Sequence, residues 1–169
     1  GVQIEYETFG NPSSPSILLM IGFACQLIHW QKEFCMKLSD QGFHVVRYDN
    51  RDSGLSTKFN ALGLKEAVEK IGALFMGEKV QVPYGIEDMA NDAAGLLDFL
   101  DIQQAHICGM SMGGYIAQTF AINNPARLLS LTSIYSGTGD RKKFKPTQEV
   151  MESMMTPAPE ERAAYIEYM

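Results

Sequence analysis

The chain has little of what neutral-pH chemistry is usually built from. Its 169 residues include three histidines, three cysteines and one tryptophan. Cys25, Cys35 and Cys108 are odd in number and share no repeated spacing. That excludes a self-contained disulfide framework and a cysteine-based zinc site, and it points to reduced thiols in a cytoplasmic protein. Basic charge is also short, with 14 Lys and Arg against 20 Asp and Glu and a net charge of −6. Such a balance argues against nucleic acid and against anionic membrane surfaces as partners. No apolar run approaches the ~18 residues of a membrane-crossing helix. The opening GVQIEYETFG lacks the charged-then-apolar layout of a signal peptide and reads as a strand already under way, so residues before it are expected. Neither G-x-G-x-x-G nor GK[ST] occurs, and no side-chain pattern suggests metal ligation; no cofactor and no metal are expected.

What is present is an ordinary globular composition, 46% apolar and 20% charged. Val2 to Phe9 alternates, as a half-exposed antiparallel strand does. SILLMIG, FHVVRYD and AHICGM are short, largely apolar runs, the pattern of strands buried on both faces, and LLSLTSIYS reads as a final strand. Between them lie helical patterns. In HWQKEFCMKLSDQGF, Trp30, Phe34 and Leu38 fall at i, i+4, i+8. Leu64–Met76 places Ala67, Val68, Ile71, Leu74 and Phe75 on one face, and IEDMANDAAGLLDFLD does the same with Met89, Ala93, Leu96, Leu97 and Leu100. Met112 to Asn123 is a fourth helix. Strands alternating with helices predict an α/β fold, a three-layer α/β/α arrangement on a mostly parallel sheet. Residues 1–145 are expected to form the core, and residues 146–169 to begin a helical cap.

The stretch HICGMSMGGYIAQ carries the chemistry. Gly109-Met110-Ser111-Met112-Gly113 matches G-x-S-x-G, with a strand before it and a helix after it, the context the motif requires. A serine on such a turn has unfavourable backbone angles, and side chains at Gly109 and Gly113 would clash with the adjoining helix and strand. The turn presents Ser111 as a nucleophile. The helix beginning at Met112 aims free N–H groups and its positive dipole end at the same place, so the Met112 N–H is a candidate oxyanion donor. The Phe23 N–H, in the glycine-led loop after SILLMIG, is the second. The plain alternative is a tight strand-to-helix turn with a spare hydroxyl. Met110 and Trp30 are candidates for lining an apolar substrate pocket.

These markers resemble the α/β-hydrolase superfamily, and they occur in its order. IGFACQLIHW is similar to its oxyanion loop, RYDNRDSGLS to its D-x-R-G-x-G-x-S loop, and GMSMGG to its nucleophile elbow. Within the superfamily the pattern is most similar to small esterases related to aclacinomycin methylesterase, which share Arg-Asp-(Ser/Thr)-Gly after a tyrosine–aspartate pair. Two positions depart from the general pattern. Ile21 stands where many members carry histidine, and Asp52 where many carry glycine. The resemblance implies a serine hydrolase that forms an acyl-enzyme on a small-molecule ester. It also implies that Asp49 and Arg51 are scaffold, read as a loop-fixing ion pair.

A serine hydroxyl needs a base, yet no histidine follows Ser111. In this fold the acid and then the histidine follow the serine. His44 and His106 open their strands and so belong at the opposite end of the sheet, as solvated or capping residues. His29 lies beyond the oxyanion loop and is a candidate base, with a surface or helix-start position the plain alternative. Asp140, after the last strand, is a candidate acid. The triad's acid and base are therefore expected beyond Met169, with this stretch nearly inert on its own and an open sheet edge near LLSLTSIYS favouring a homo-oligomer. Met151, Met154, Met155 and Met169 would line an adaptable pocket or serve only as packing surface. Two other readings remain open: a cofactor-free perhydrolase or carbon–carbon bond hydrolase with the same nucleophile, and a ligand-binding receptor on the same scaffold.

Overall fold

The computed structural model describes residues 1–59, 66, 69, 70, 72, 73, 78–140, 147–149 and 161. The chain divides into two compact units. One comprises Gly1–Leu62 with Gln81–Gly139, the other Gly63–Val80 with Asp140–Met169. The faces expected for most of the 64–76 helix, and the four methionines of the tail, lie outside the described residues.

The first unit is built on five strands: β1 (Tyr6–Phe9), β2 (Ser16–Met20), β3 (His44–Tyr48), β4 (Ala105–Met110) and β5 (Leu128–Ile134). Their order in the sheet is β1-β3-β2-β4-β5. β1 runs antiparallel to β3, and the other neighbours are parallel. Three helices accompany them: α1 (Lys32–Asp40), α2 (Ile86–Phe99) and α3 (Met112–Asn123).

The apolar runs follow from helical cover on both faces of the sheet. Leu18 and Met20 of β2, Val46 and Tyr48 of β3, and Ile107 of β4 enter one core with Met89, Ala93, Leu97, Ile116 and Phe120 of α2 and α3. The alternate residues Ile17, Leu19, Ile21 and Val45 enter a second core with Trp30 and Cys35. Each strand keeps its period of two, but both phases must be apolar.

Three local readings change. Regular β1 pairing covers only Tyr6–Phe9. Upstream, the Gln3 and Glu5 carbonyls instead accept the Thr57 and Asp49 N–H groups, so that segment runs beside a loop. Trp30 precedes α1, closing a short 3-10 turn at Leu27–His29. α1 buries Cys35 and leaves Phe34 41% exposed, so its inward face is not the one drawn through Phe34.

Candidate active site

β2 lies at the centre of the parallel strands. From it the chain goes to β3 on one side and later crosses to β4 on the other. Loops leaving β2 and β4 therefore diverge at their carboxyl ends, and open α/β sheets form their ligand crevices at such switch points. The register pairs Met20 with Gly109, which sets the loop after β2 against the turn after β4.

Ser111 occupies that turn. It is exposed and caps α3 with φ +56° and ψ −120°, a conformation that L-residues seldom adopt. Its N–H donates to the Ile134 carbonyl at 2.8 Å, and its carbonyl accepts the Gly114 N–H at 2.9 Å. The glycines have steric causes. A Cβ on Gly109 would meet the Gly113 carbonyl oxygen at 2.1 Å, and one on Gly113 would meet the Met20 oxygen at 2.2 Å. Across the crevice, a Cβ on Gly22 would lie 3.2 Å from the Ser111 Cβ and 3.6 Å from its Oγ. The next residue, Phe23, is half-buried, and neither its N–H nor that of Met112 has a partner among the described residues.

The loop Ile21–Leu27 is held from β3. Asn50 Nδ2 donates to the Ile21 carbonyl at 3.0 Å, and Asp49 Oδ1 accepts the Leu27 N–H at 2.7 Å. Asp49 Oδ2 accepts the Leu55 N–H at 2.9 Å. Asp49 and Arg51 do not pair with each other. Asp49 spends its carboxylate on backbone N–H groups. Arg51 instead makes a two-pronged ion pair with Asp92 of α2 at 2.6 and 2.8 Å, its guanidinium lying over the rings of Phe59 and Tyr84. The Tyr84 hydroxyl donates to Asp52 at 2.7 Å. Asn50, Asp92 and Tyr84 were not singled out from the sequence.

The remaining candidates separate. Trp30 is a core residue, not a pocket wall. It is 6% exposed and stacks on Phe34 with 5.7 Å between ring centroids, because the 3-10 turn directs its indole onto β2 and β3. Met110 and Met112 are half-buried and pack against opposite faces of the sheet, Met110 with the second core and Met112 with the first. Asp140 is half-buried and belongs to the second unit.

None of the three histidines is placed as a base beside Ser111. His29 is exposed and closes a capping box with Gln26. His44 is buried rather than solvated, 3.1 Å from the Ser16 hydroxyl, and burial lowers its pKa. His106 is half-buried, with Nδ1 2.8 Å from the Ser130 hydroxyl across the β4–β5 ladder. Burial raises the Cys25 and Cys108 thiols above their ordinary value, which disfavours the thiolate form at both.

The sequence profile of the alpha/beta hydrolase fold matches residues 15–164. The chain belongs to the alpha/beta hydrolase family. It is 34% identical over 139 residues to a rhodomycin D methylesterase of Streptomyces sp. (strain C5), covering 82% of this chain and 41% of that protein. It is 32% identical over 126 residues to 3-oxoadipate enol-lactonase 2 of Acinetobacter baylyi, covering 75% and 39%. A carboxylesterase structure from Nitrososphaera gargenis superposes with a TM-score of 0.61 at 25% identity, over 80% of this chain and 42% of that one. This hydrolase-fold chain thus spans about two fifths of the length of the relatives it matches.

Proposed function

We propose that the protein is a serine hydrolase that cleaves a carboxylic ester of an apolar small molecule, a methyl ester foremost, by way of an acyl-enzyme. The carrying observation is the Ser111 turn: an exposed serine at φ +56°, at the sheet's switch point and close to Gly22, with neither the Phe23 nor the Met112 N–H partnered among the described residues. The kinship to a methylesterase and to a carboxylesterase supports the ester class.

In this reading Ser111 Oγ attacks the ester carbonyl carbon while a base takes its proton. The former carbonyl oxygen becomes an oxyanion and draws on the Phe23 and Met112 N–H groups and the α3 dipole. Collapse of the adduct expels the alcohol, which takes up the proton held by the base. Water then attacks the acyl-enzyme by the same route and returns Ser111. His29, His44 and His106 hydrogen-bond to Gln26, Ser16 and Ser130, so the base is expected from outside the described residues, and the 169-residue chain alone is expected to turn over little.

The test is made on the full-length protein. A fluorophosphonate is expected to label Ser111, and Ser111→Ala is expected to lower p-nitrophenyl acetate turnover by at least about 10⁴-fold, the scale on which triad serines act. Unchanged turnover in Ser111→Ala refutes the nucleophile. Products of carbon–carbon cleavage or peracid formation, with labelling intact, keep the nucleophile and replace the ester reaction.

A further inference from the structure

We infer that Asp49 and Asn50, consecutive residues at the carboxyl end of β3, are positioning residues that set the oxyanion loop of the Ser111 site. This rests on the reading of Ser111 as nucleophile and of Phe23 as an oxyanion donor.

The loop Ile21–Leu27 has little to hold itself in place. Its one internal hydrogen bond among the described residues, from the Cys25 N–H to the Gly22 carbonyl, is long at 3.4 Å, and Ala24 sits at φ +57°. Its two ends are both fastened from β3: Ile21 by the Asn50 amide at 3.0 Å and Leu27 by the Asp49 carboxylate at 2.7 Å. The fasteners are themselves anchored. Both are 2% exposed, and the Ser56 hydroxyl donates to the Asp49 carbonyl at 2.7 Å. Gly54 lies so close to the Asp49 carboxylate that a Cβ there would stand 1.7 Å from Oδ2.

The contact at Ile21 matters most. Its carbonyl shares a peptide plane with the Gly22 N–H, one residue before the Phe23 donor. A Cβ on Gly113 would lie 2.8 Å from the same oxygen, so Ile21 also borders the elbow. Turning that peptide swings the Phe23 N–H relative to Ser111. A displacement of about 1 Å in a catalytic group costs on the order of 100-fold in rate.

Asn50 also bears an evident cost. Its Oδ1 is buried with no partner among the described residues. A leucine of similar size would avoid that orphan acceptor, so the amide earns its place through the hydrogen it donates.

The experiment uses the full-length protein and three readouts: the rate of Ser111 phosphonylation by a fluorophosphonate, kcat and KM for p-nitrophenyl acetate, and the thermal midpoint. N50L is expected to lower both kcat and the labelling rate by about 100-fold, with KM within about twofold of wild type, because the lost contact serves the transition state. In N50D the donor returns when the buried carboxyl is protonated. Its labelling rate, divided by that of wild type at the same pH, is therefore expected to climb to at least about half as pH falls from about 8 to about 5. A purely structural asparagine would lower the midpoint without either signature. Wild-type labelling in N50L, or an N50D ratio that stays low at every pH, overturns the inference. If N50L does not fold, the N50D ratio decides. Absence of labelling at Ser111 in the wild type instead refutes the nucleophile reading, and this inference with it.

Discussion

At the scale of the residue, Ser111 holds strain that its hydroxyl requires. Backbone angles of φ +56° and ψ −120° suit glycine far better than serine, and such conformations cost about 1–3 kcal/mol each. Ser111→Ala removes the hydroxyl and keeps the strain, whereas Ser111→Gly removes both. After allowing for the greater freedom of glycine in the unfolded chain, Ser111→Gly is expected to be about 1 kcal/mol more stable than Ser111→Ala, or about 2–4 °C in melting midpoint for a chain of this size. Calorimetry on the two variants measures the difference, and coincident midpoints would mean an unstrained bend. This residue was legible in the sequence because the turn needs small residues at fixed offsets. Gly109 answers to a clash of 2.1 Å with Gly113 inside the turn, and Gly113 to one of 2.2 Å with Met20 of the neighbouring β2; a five-residue pattern encodes both without naming the partners. Arg51 was not legible: Asp92 lies 41 residues further on, and nothing local distinguishes it from Asp49 as a partner. Trp30 failed for the same reason, since helical spacing cannot tell whether an indole turns toward a crevice or into a core.

At the scale of the element, two-sided burial made the inner strands β2, β3 and β4 readable. A run such as SILLM has a single role in an α/β sheet, and β2 is buried at all five positions. Helix faces read less well when the helix is short, nine residues in α1 against fourteen in α2. α2 presents Met89, Ala93, Leu96 and Leu97 as its sequence implies, while α1 turns Cys35 inward past a larger Phe34. His44 shows the same limit for a single side chain. At the amino end of β3 it was expected in solvent or as a cap, and it is 3% exposed against Ser16. Burial lowers its pKa, so the folded state favours the neutral ring while the unfolded chain takes up a proton near about 6.5. Below that value the unfolded state binds more protons, and stability falls as pH drops through the interval down to the folded pKa. Melting midpoints measured from about pH 7.5 to about pH 5 are expected to fall more steeply for wild type than for His44→Gln. Parallel slopes would remove His44 as the source.

At the scale of the whole molecule, the sheet ends on a strand with no partner on its far side among the described residues. β5 pairs only with β4 there. Its middle five residues are exposed, with Leu129 at 46% and Leu131 at 39%, and Tyr135 just beyond at 87%. Leu129 and Leu131 are two residues apart and so share a face, beside a row of N–H and C=O groups that no strand pairs with among the described residues, the combination that recruits another strand. A net charge of −6 spread over 169 residues offers little opposition. The 169-residue chain prepared in isolation is therefore expected to self-associate through this edge. Leu131→Lys places a charge on the strand without touching either core, and it is expected to return the chain to monomer in size-exclusion chromatography with light scattering. Salt separates the causes: association driven by apolar contact and backbone pairing persists at about 1 M salt, where the screening length is about 3 Å, whereas association through surface charges dissolves. A wild-type chain that runs as a monomer under both conditions would show that the open edge is protected by its own twist or side chains.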